Sequence, residues 1–131
     1  MNIKEFAEKF AEAEKEAWKK GNFKPLEAME NPDVVYHIPP LPDVVGFEGH
    51  KQYIQNTVQA VSDLWQEFNY LVGDGNLFAF AYKSSARVAR EMPDLPVPVG
   101  KKLSTNYLCL FHLKGVKVGE VWMNGSISVE D

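Results

Sequence analysis

From Asn2 to about Lys20 apolar side chains return every third or fourth residue: Ile3, Phe6, Phe10, Ala13 and Ala17, widened by Ala7, Ala11 and Trp18. That spacing lines one side of a helix and predicts an amphipathic α-helix whose charged side is solvated. Glu5 precedes Lys9 and Glu16 precedes Lys20 by one turn, the favourable order, and Gly21-Asn22 is a stop signal. Pro25, Leu26 and Met29 suit a further turn or two of helix between Phe23 and Glu30, ended by Asn31-Pro32. A second long stripe, Tyr53, Ile54, Thr57, Val58, Val61, Leu64 and Trp65, predicts a helix from Lys51 to about Gln66.

The remaining pattern is that of strands. Asp33 to Ile38 is β-branched and aromatic and stops at Pro39, Pro40 and Pro42, which cannot donate to a sheet ladder. Phe68, Tyr70 and Val72 alternate up to the Gly73-Asp74-Gly75-Asn76 turn, and Leu77 to about Val88 runs back from it. Met92 to Gly100 contains Pro93, Pro96 and Pro98 and is expected to be an excursion at the sheet's end. Leu103 to Leu113 and Lys117 to Val129 follow as two strands turning at Lys114-Gly115-Val116. Helices first and long antiparallel strands afterwards make an α+β fold. Strands of such length imply a strongly curved, mostly antiparallel sheet, wrapped as a cone around the N-terminal helices and leaving one pocket.

Composition narrows the functions available. With 131 residues and 45% hydrophobic content the chain has material for a single domain, residues 1–131. Fourteen Lys and Arg against 18 Asp and Glu give a formal charge of -4, which argues against nucleic acid or an anionic membrane as partner. The lone cysteine, Cys109, excludes an intrachain disulfide and reads as a small buried hydrophobe. The N-terminus mixes Glu and Lys without an apolar signal core, and no later run is long enough to span a membrane, so a cytoplasmic protein is expected. No glycine-rich phosphate loop and no G-x-S-x-G occurs, so no cofactor is expected, and three scattered histidines lack metal-ligand spacing, so no metal is expected either.

Two segments carry a family resemblance. DVVYHIPPLPDVVGFEGHKQYI, with Gly46-Phe47-Glu48-Gly49 at the helix start, and Lys117-Val118-Gly119-Glu120-Val121-Trp122 near the C-terminus are similar to the SnoaL-like polyketide cyclase branch of the nuclear transport factor 2-like superfamily. The resemblance covers nearly the whole chain. It implies the same α+β cone and a pocket for a small hydrophobic, polyketide- or steroid-like molecule, with proton transfer next to a carbonyl as the chemistry of a cyclase, isomerase or dehydratase-type lyase. The fold also hosts non-catalytic binding and dimerisation modules. In this chain Ser126 stands where the branch's Glu-x-Trp-x-x-x-Asp signature ends in Asp, and Val116 stands where its Gly precedes Lys. No Asp occurs between Leu103 and Val129, which argues against a ketosteroid-isomerase type of site.

The residues themselves nominate a site. His37, ending an apolar strand, is the first candidate for proton transfer near neutral pH, with Tyr36 pointing the other way. Glu120, Trp122, Asn124 and Ser126 share one face of the last strand if no bulge intervenes; if that face is the pocket's, Glu120 is a second catalytic candidate, Trp122 a wall and Asn124 a neutral hydrogen-bonding group. Tyr53, Tyr82 and Tyr107 are candidates to line the pocket, and Arg87 to clamp a carboxylate. His50, at the helix start, is expected to be exposed. Apolar residues on both faces of Leu103 to Leu113 fit burial on both sides and a homodimer formed through the sheet's outer face.

Overall fold

The computed structural model describes residues 2–92 and 94–130, so Pro93 of the proline-rich excursion lies outside the described residues. Helix α1 runs Ile3–Lys20, α2 Lys24–Met29 and α3 Gly46–Ala60; the strands are β1 Glu30–His37, β2 Val44–Val45, β3 Val61–Asp74, β4 Leu77–Val88, β5 Lys102–Lys114 and β6 Lys117–Glu130. The strands form one six-stranded sheet in the order β2-β1-β6-β5-β4-β3, antiparallel throughout except where β1 runs parallel to β6. The sheet is curved and does not close, and the helices cover its inner face. This is the expected α+β architecture.

Local chemistry fixes the ends of α1. Asn2 Oδ1 accepts the Glu5 N–H at 2.8 Å, and Gly21, at φ 66°, closes the helix by donating to the Ala17 carbonyl. Positive φ at Gly75 (61°) and Gly115 (74°) makes the two hairpin turns at the places the sequence marks for them.

Two boundaries differ from expectation. Helix α3 begins at Gly46 and stops at Ala60, whereas the periodicity predicts Lys51 to Gln66. Val61, Ser62, Trp65 and Gln66 instead pair with Val88, Arg87, Ser85 and Ser84 of β4, and Asp63 turns through φ 54° at a break in that register. A stripe of β-branched and aromatic residues satisfies either geometry, and here the long partner strand decides. Strand β1 begins three residues before Asp33 and contains Pro32, which falls where its pairing with β6 is interrupted between Glu30 and Val35.

An aromatic cluster fills the space between α1 and the sheet. Phe10, fully buried, lies 5.2 Å from Phe111 and 6.0 Å from Phe78 between ring centroids, and Phe78 stacks on Phe111 at 4.7 Å. A smaller cluster of Val88, Val97 and Leu103 anchors the proline-rich excursion to the sheet's end.

Candidate functional site

Beyond the phenylalanine cluster the helices and sheet do not meet, and a cavity of about 470 Å³ remains. Its walls come from α1 (Glu14, Trp18), α3 (His50, Tyr53, Thr57), the loop after β1 (Ile38, Leu41, Asp43) and the inner face of the sheet (Phe68, Phe80, Tyr82, Tyr107, Met123). Most of these are apolar or aromatic, as small-molecule sites usually are. No lysine or arginine lines the cavity among the described residues.

A buried charged cluster backs one part of the wall: Glu14, His50 and Tyr36 line the cavity and Glu30 lies behind them, while Asp43, Glu91 and Asp94 add acidic groups elsewhere in the lining. Glu14, Glu30 and His50 are 6%, 1% and 3% exposed, although α1, β1 and α3 bring them from distant parts of the chain. His50 Nδ1 lies 2.9 Å from Glu30 Oε2, the same oxygen that accepts the Tyr36 hydroxyl at 2.5 Å. The Tyr36 and His50 rings stack at 4.1 Å. Glu14 Oε2 accepts the Trp18 indole N–H at 2.9 Å, while its Oε1 lies 3.4 Å from the Tyr36 hydroxyl and 3.8 Å from His50 Nε2. Glu30 therefore holds one side of the imidazole, and the nitrogen facing Glu14 has no short hydrogen bond among the described residues.

Burial sets the electrostatics. Removal from water is the main cause that lifts the Glu14 carboxyl above its ordinary 4.5; the Glu30 charge adds to it and His50 opposes it. For His50, burial pulls downward, but the charge and hydrogen bond of Glu30, helped by Glu14, prevail and raise the imidazole above 6.5. Tyr36 rises well above 10.0, first through burial and then through the two carboxylates. Glu14, Glu30 and His50 also offer ligand atoms within 4.8 Å of one another. Two of those groups are already committed: Glu30 to Tyr36 and His50, and Nδ1 to Glu30. Glu14 Oε1 and His50 Nε2 are left, fewer than the three or four protein donors of a typical zinc centre.

The structure divides the residues nominated from sequence. Tyr53, Tyr82 and Tyr107 line the cavity; the Tyr82 oxygen accepts the Gln66 amide at 2.9 Å, and Tyr107 donates to the Pro39 carbonyl at 2.8 Å. Burial lifts the Tyr82 hydroxyl to about 12, and likewise the Cys109 thiol to about 12, in keeping with an inert buried cysteine. His37, Glu120, Trp122 and Asn124 lie on the opposite, outer face of the sheet, and Arg87 is exposed, donating to the Gly100 carbonyl at 2.8 Å. On that face His37 is held at both ring nitrogens, 2.7 Å from Glu120 and 3.1 Å from Asp43, and Trp122 stacks between His37 and His112.

Strand parity explains the division. In β1 the alternating residues Val34, Tyr36 and Ile38 are buried, so Tyr36 points inward and His37 outward, the reverse of the expected facing. In β6 Val118 pairs with Leu113 and Glu120 with His112, which leaves Gly119 unpaired as a bulge. The bulge shifts the phase by one, so Val121 and Met123 face inward and Glu120, Trp122 and Asn124 outward. His50 is buried rather than exposed because it follows Phe47 and precedes Ile54 in the stripe of α3. Glu14 and Glu30 were not among the nominated residues. Glu14 did leave a signal, since it stands four residues from both Phe10 and Trp18 within the apolar stripe of α1.

An α+β cone with a largely apolar cavity and a buried acid–base cluster defines a class of small-pocket protein. The family model for SnoaL-like polyketide cyclase matches residues 8–124, and the chain belongs to that family. No curated protein matches the chain. Among solved structures, TsrD from Streptomyces laurentii superposes with a TM-score of 0.79 at 18% identity, over 96% of this chain and 92% of that one. A SnoaL-like polyketide cyclase from Agrobacterium tumefaciens gives 0.71 at 17% identity, over 92% and 91%. SalBIII, an epoxide hydrolase/cyclase-like enzyme of pyran ring formation in the polyether salinomycin, gives 0.71 at 16% identity, over 98% of each chain. At these identities the likeness is one of fold.

Proposed function

We propose that the protein is an enzyme of the cyclase, isomerase or dehydratase type that takes a small, largely apolar molecule bearing a carbonyl into the cavity and moves a proton next to that carbonyl. The carrying observation is the buried cluster of Glu14, Glu30, His50 and Tyr36, of which Glu14, His50 and Tyr36 line a largely apolar cavity and Glu30 lies behind them. Keeping ionisable groups away from water costs several kcal/mol each unless they are paired, and such clusters in clefts concentrate at functional sites. Family membership points the same way. The acid–base groups are the chain's own side chains, and the protein works as a cytoplasmic homodimer. The second copy is supported by the outer face of β5 and β6, where Leu108, Leu110 and Trp122 are 60%, 40% and 40% exposed among the uncharged Asn106, Asn124 and Ser126. Uncharged side chains of this kind can meet their own copies without charge repulsion.

A panel of polycyclic and linear aromatic ketones, read by thermal denaturation and by product analysis, tests the enzyme reading. Ligands that occupy the cavity raise Tm by mass action, and a subset is turned over. Absence of any shift across the panel contradicts the proposal.

A further inference from the structure

The buried cluster is asymmetric in a way that assigns separate tasks to its members. Glu14 Oε2 is taken by the Trp18 N–H, which leaves Oε1 directed toward His50 and the Tyr36 hydroxyl. His50 Nδ1 is taken by Glu30, which leaves Nε2 with only the 3.8 Å approach of Glu14, and both Glu14 and His50 line the cavity while Glu30 does not. These two atoms face each other as an ion pair at 3.8 Å, and among the described residues the only hydrogen bond on either is the long one, 3.4 Å, from the Tyr36 hydroxyl to Glu14 Oε1. Two atoms of one reacting group can lie against such a pair.

Resting on the reading above, we propose that Glu14 and His50 are a catalytic base and acid of opposite charge acting on neutral carbonyl compounds, with Glu30 and Tyr36 as positioning residues. Glu14 Oε1 takes the proton from the carbon beside the carbonyl. The electron pair of that C–H bond becomes the new C=C, and the carbonyl oxygen receives a proton from His50 Nε2. The products are a neutral enol, a neutral carboxylic acid and a neutral imidazole. The enol then closes a ring on a second carbonyl or is reprotonated at a conjugated carbon. Its O–H proton returns to Nε2, and the Glu14 proton goes to the new alkoxide or to that carbon, which restores both residues.

The chemistry suits the surroundings. A bare enolate would be an uncompensated charge in a largely apolar hollow, whereas here an ion pair is consumed as the enol forms and no net charge appears. Glu30 acts through His50, fixing the tautomer and the ring as second carboxylates do in proton-transfer sites. The titratable groups facing the pair are Glu30 and Tyr36 from β1, Tyr53 from α3, Tyr82 from β4, and Tyr107 and Cys109 from β5; no cation other than His50 is among them. Asp43, Glu91 and Asp94 are also in the cavity wall. An acidic wall without lysine or arginine disfavours carboxylate and phosphate substrates.

The experiment follows exchange of the α-protons of α-tetralone into deuterated water by NMR, with the full chain, alongside binding of α-tetralone and of naphthoate by thermal shift. The wild type binds the ketone, exchanges its α-protons and binds naphthoate at least tenfold more weakly. Glu14→Gln and His50→Gln retain the ketone's thermal shift and lose about 100-fold or more in exchange rate, the usual worth of a positioned acid or base. Glu30→Gln loses less and moves the limb of the pH–rate profile that belongs to His50; Glu30→Asp restores part of the rate. If Glu14→Gln does not fold, Glu14→Asp is read instead, with at least a tenfold loss. Exchange that survives Glu14→Gln, or naphthoate binding as tight as the ketone's, overturns this assignment while leaving the enzyme reading intact. A wild type that binds but does not exchange the ketone also overturns the assignment, and one that binds no member of the wider ketone panel overturns the reading beneath it.

Discussion

Replacing Glu30 by Gln is the sharpest perturbation of the buried cluster, because shape is kept and one negative charge is withdrawn. Glu30 is 1% exposed and faces His50 at 2.9 Å and Tyr36 at 2.5 Å. Removing one partner of a buried ion pair costs about 3–5 kcal/mol, a large share of the roughly 5–15 kcal/mol that holds a domain together. The imidazole can escape by losing its proton, so the cost depends on pH. In the wild type the folded His50 value lies above 6.5, so its contribution to stability is fully present below 6.5 and fades as pH rises through the folded value. The slope reaches at most about 1.4 kcal/mol per pH unit. The raised Glu14 carboxyl adds stability of the same sign, full below 4.5 and lost above its own folded value. In Glu30→Gln the depression by burial prevails at His50, and the His50 contribution to the slope changes sign. Urea denaturation of the variant and the wild type between about pH 5.5 and 8.5 measures this. The difference should be largest at the acid end and shrink above the folded His50 value toward the about 0.5–1.5 kcal/mol of a neutral hydrogen bond. A difference below about 1 kcal/mol that does not vary with pH would refute the charged Glu30–His50 pair.

Two further outcomes are expected. His37 should titrate above 6.5 by histidine ring NMR, because the Glu120 hydrogen bond and then that of Asp43 favour its charged form; Glu120→Gln should bring it down, with little effect on stability at so exposed a site. A His37 value at or below 6.5 contradicts this. Sedimentation of the wild type should show a dimer, and Leu108→Lys or Leu110→Glu should yield a folded monomer; a wild type that is monomeric at high concentration rules out the sheet-face contact.

The hairpins and helix α1 were legible because each depends on local signals: turn glycines at Gly75 and Gly115, and an unbroken stripe ended by Gly21. The α3–β3 boundary was not, since Thr57, Val58, Val61, Leu64 and Trp65 satisfy helical spacing and strand composition equally, and pairing with β4 decides where one gives way to the other. The site shows the same split. The tyrosines of the cavity could be nominated from sequence, whereas the burial of Glu30 depends on helices packing on β1, chiefly α3 from later in the chain, a long-range event with no local mark. The outward facing of His37 goes with the alternation of Val34, Tyr36 and Ile38, all buried, a pattern whose apolar members are visible in the sequence but whose face is fixed only by the packing of β1.

The bulge at Gly119 does more than bend a strand. Everything C-terminal to it in β6 owes its orientation to that one unpaired residue, so the hollow's lining and the molecule's outer skin are the same peptide read in two alternate frames. Were the bulge flattened with every residue kept, Gly119 would take His112 as its partner and Glu120 would take Phe111, bringing Glu120 and Trp122 into the hollow and turning Val121 and Met123 out; deletion of Gly119 instead keeps Glu120 opposite His112 and leaves every facing as it is.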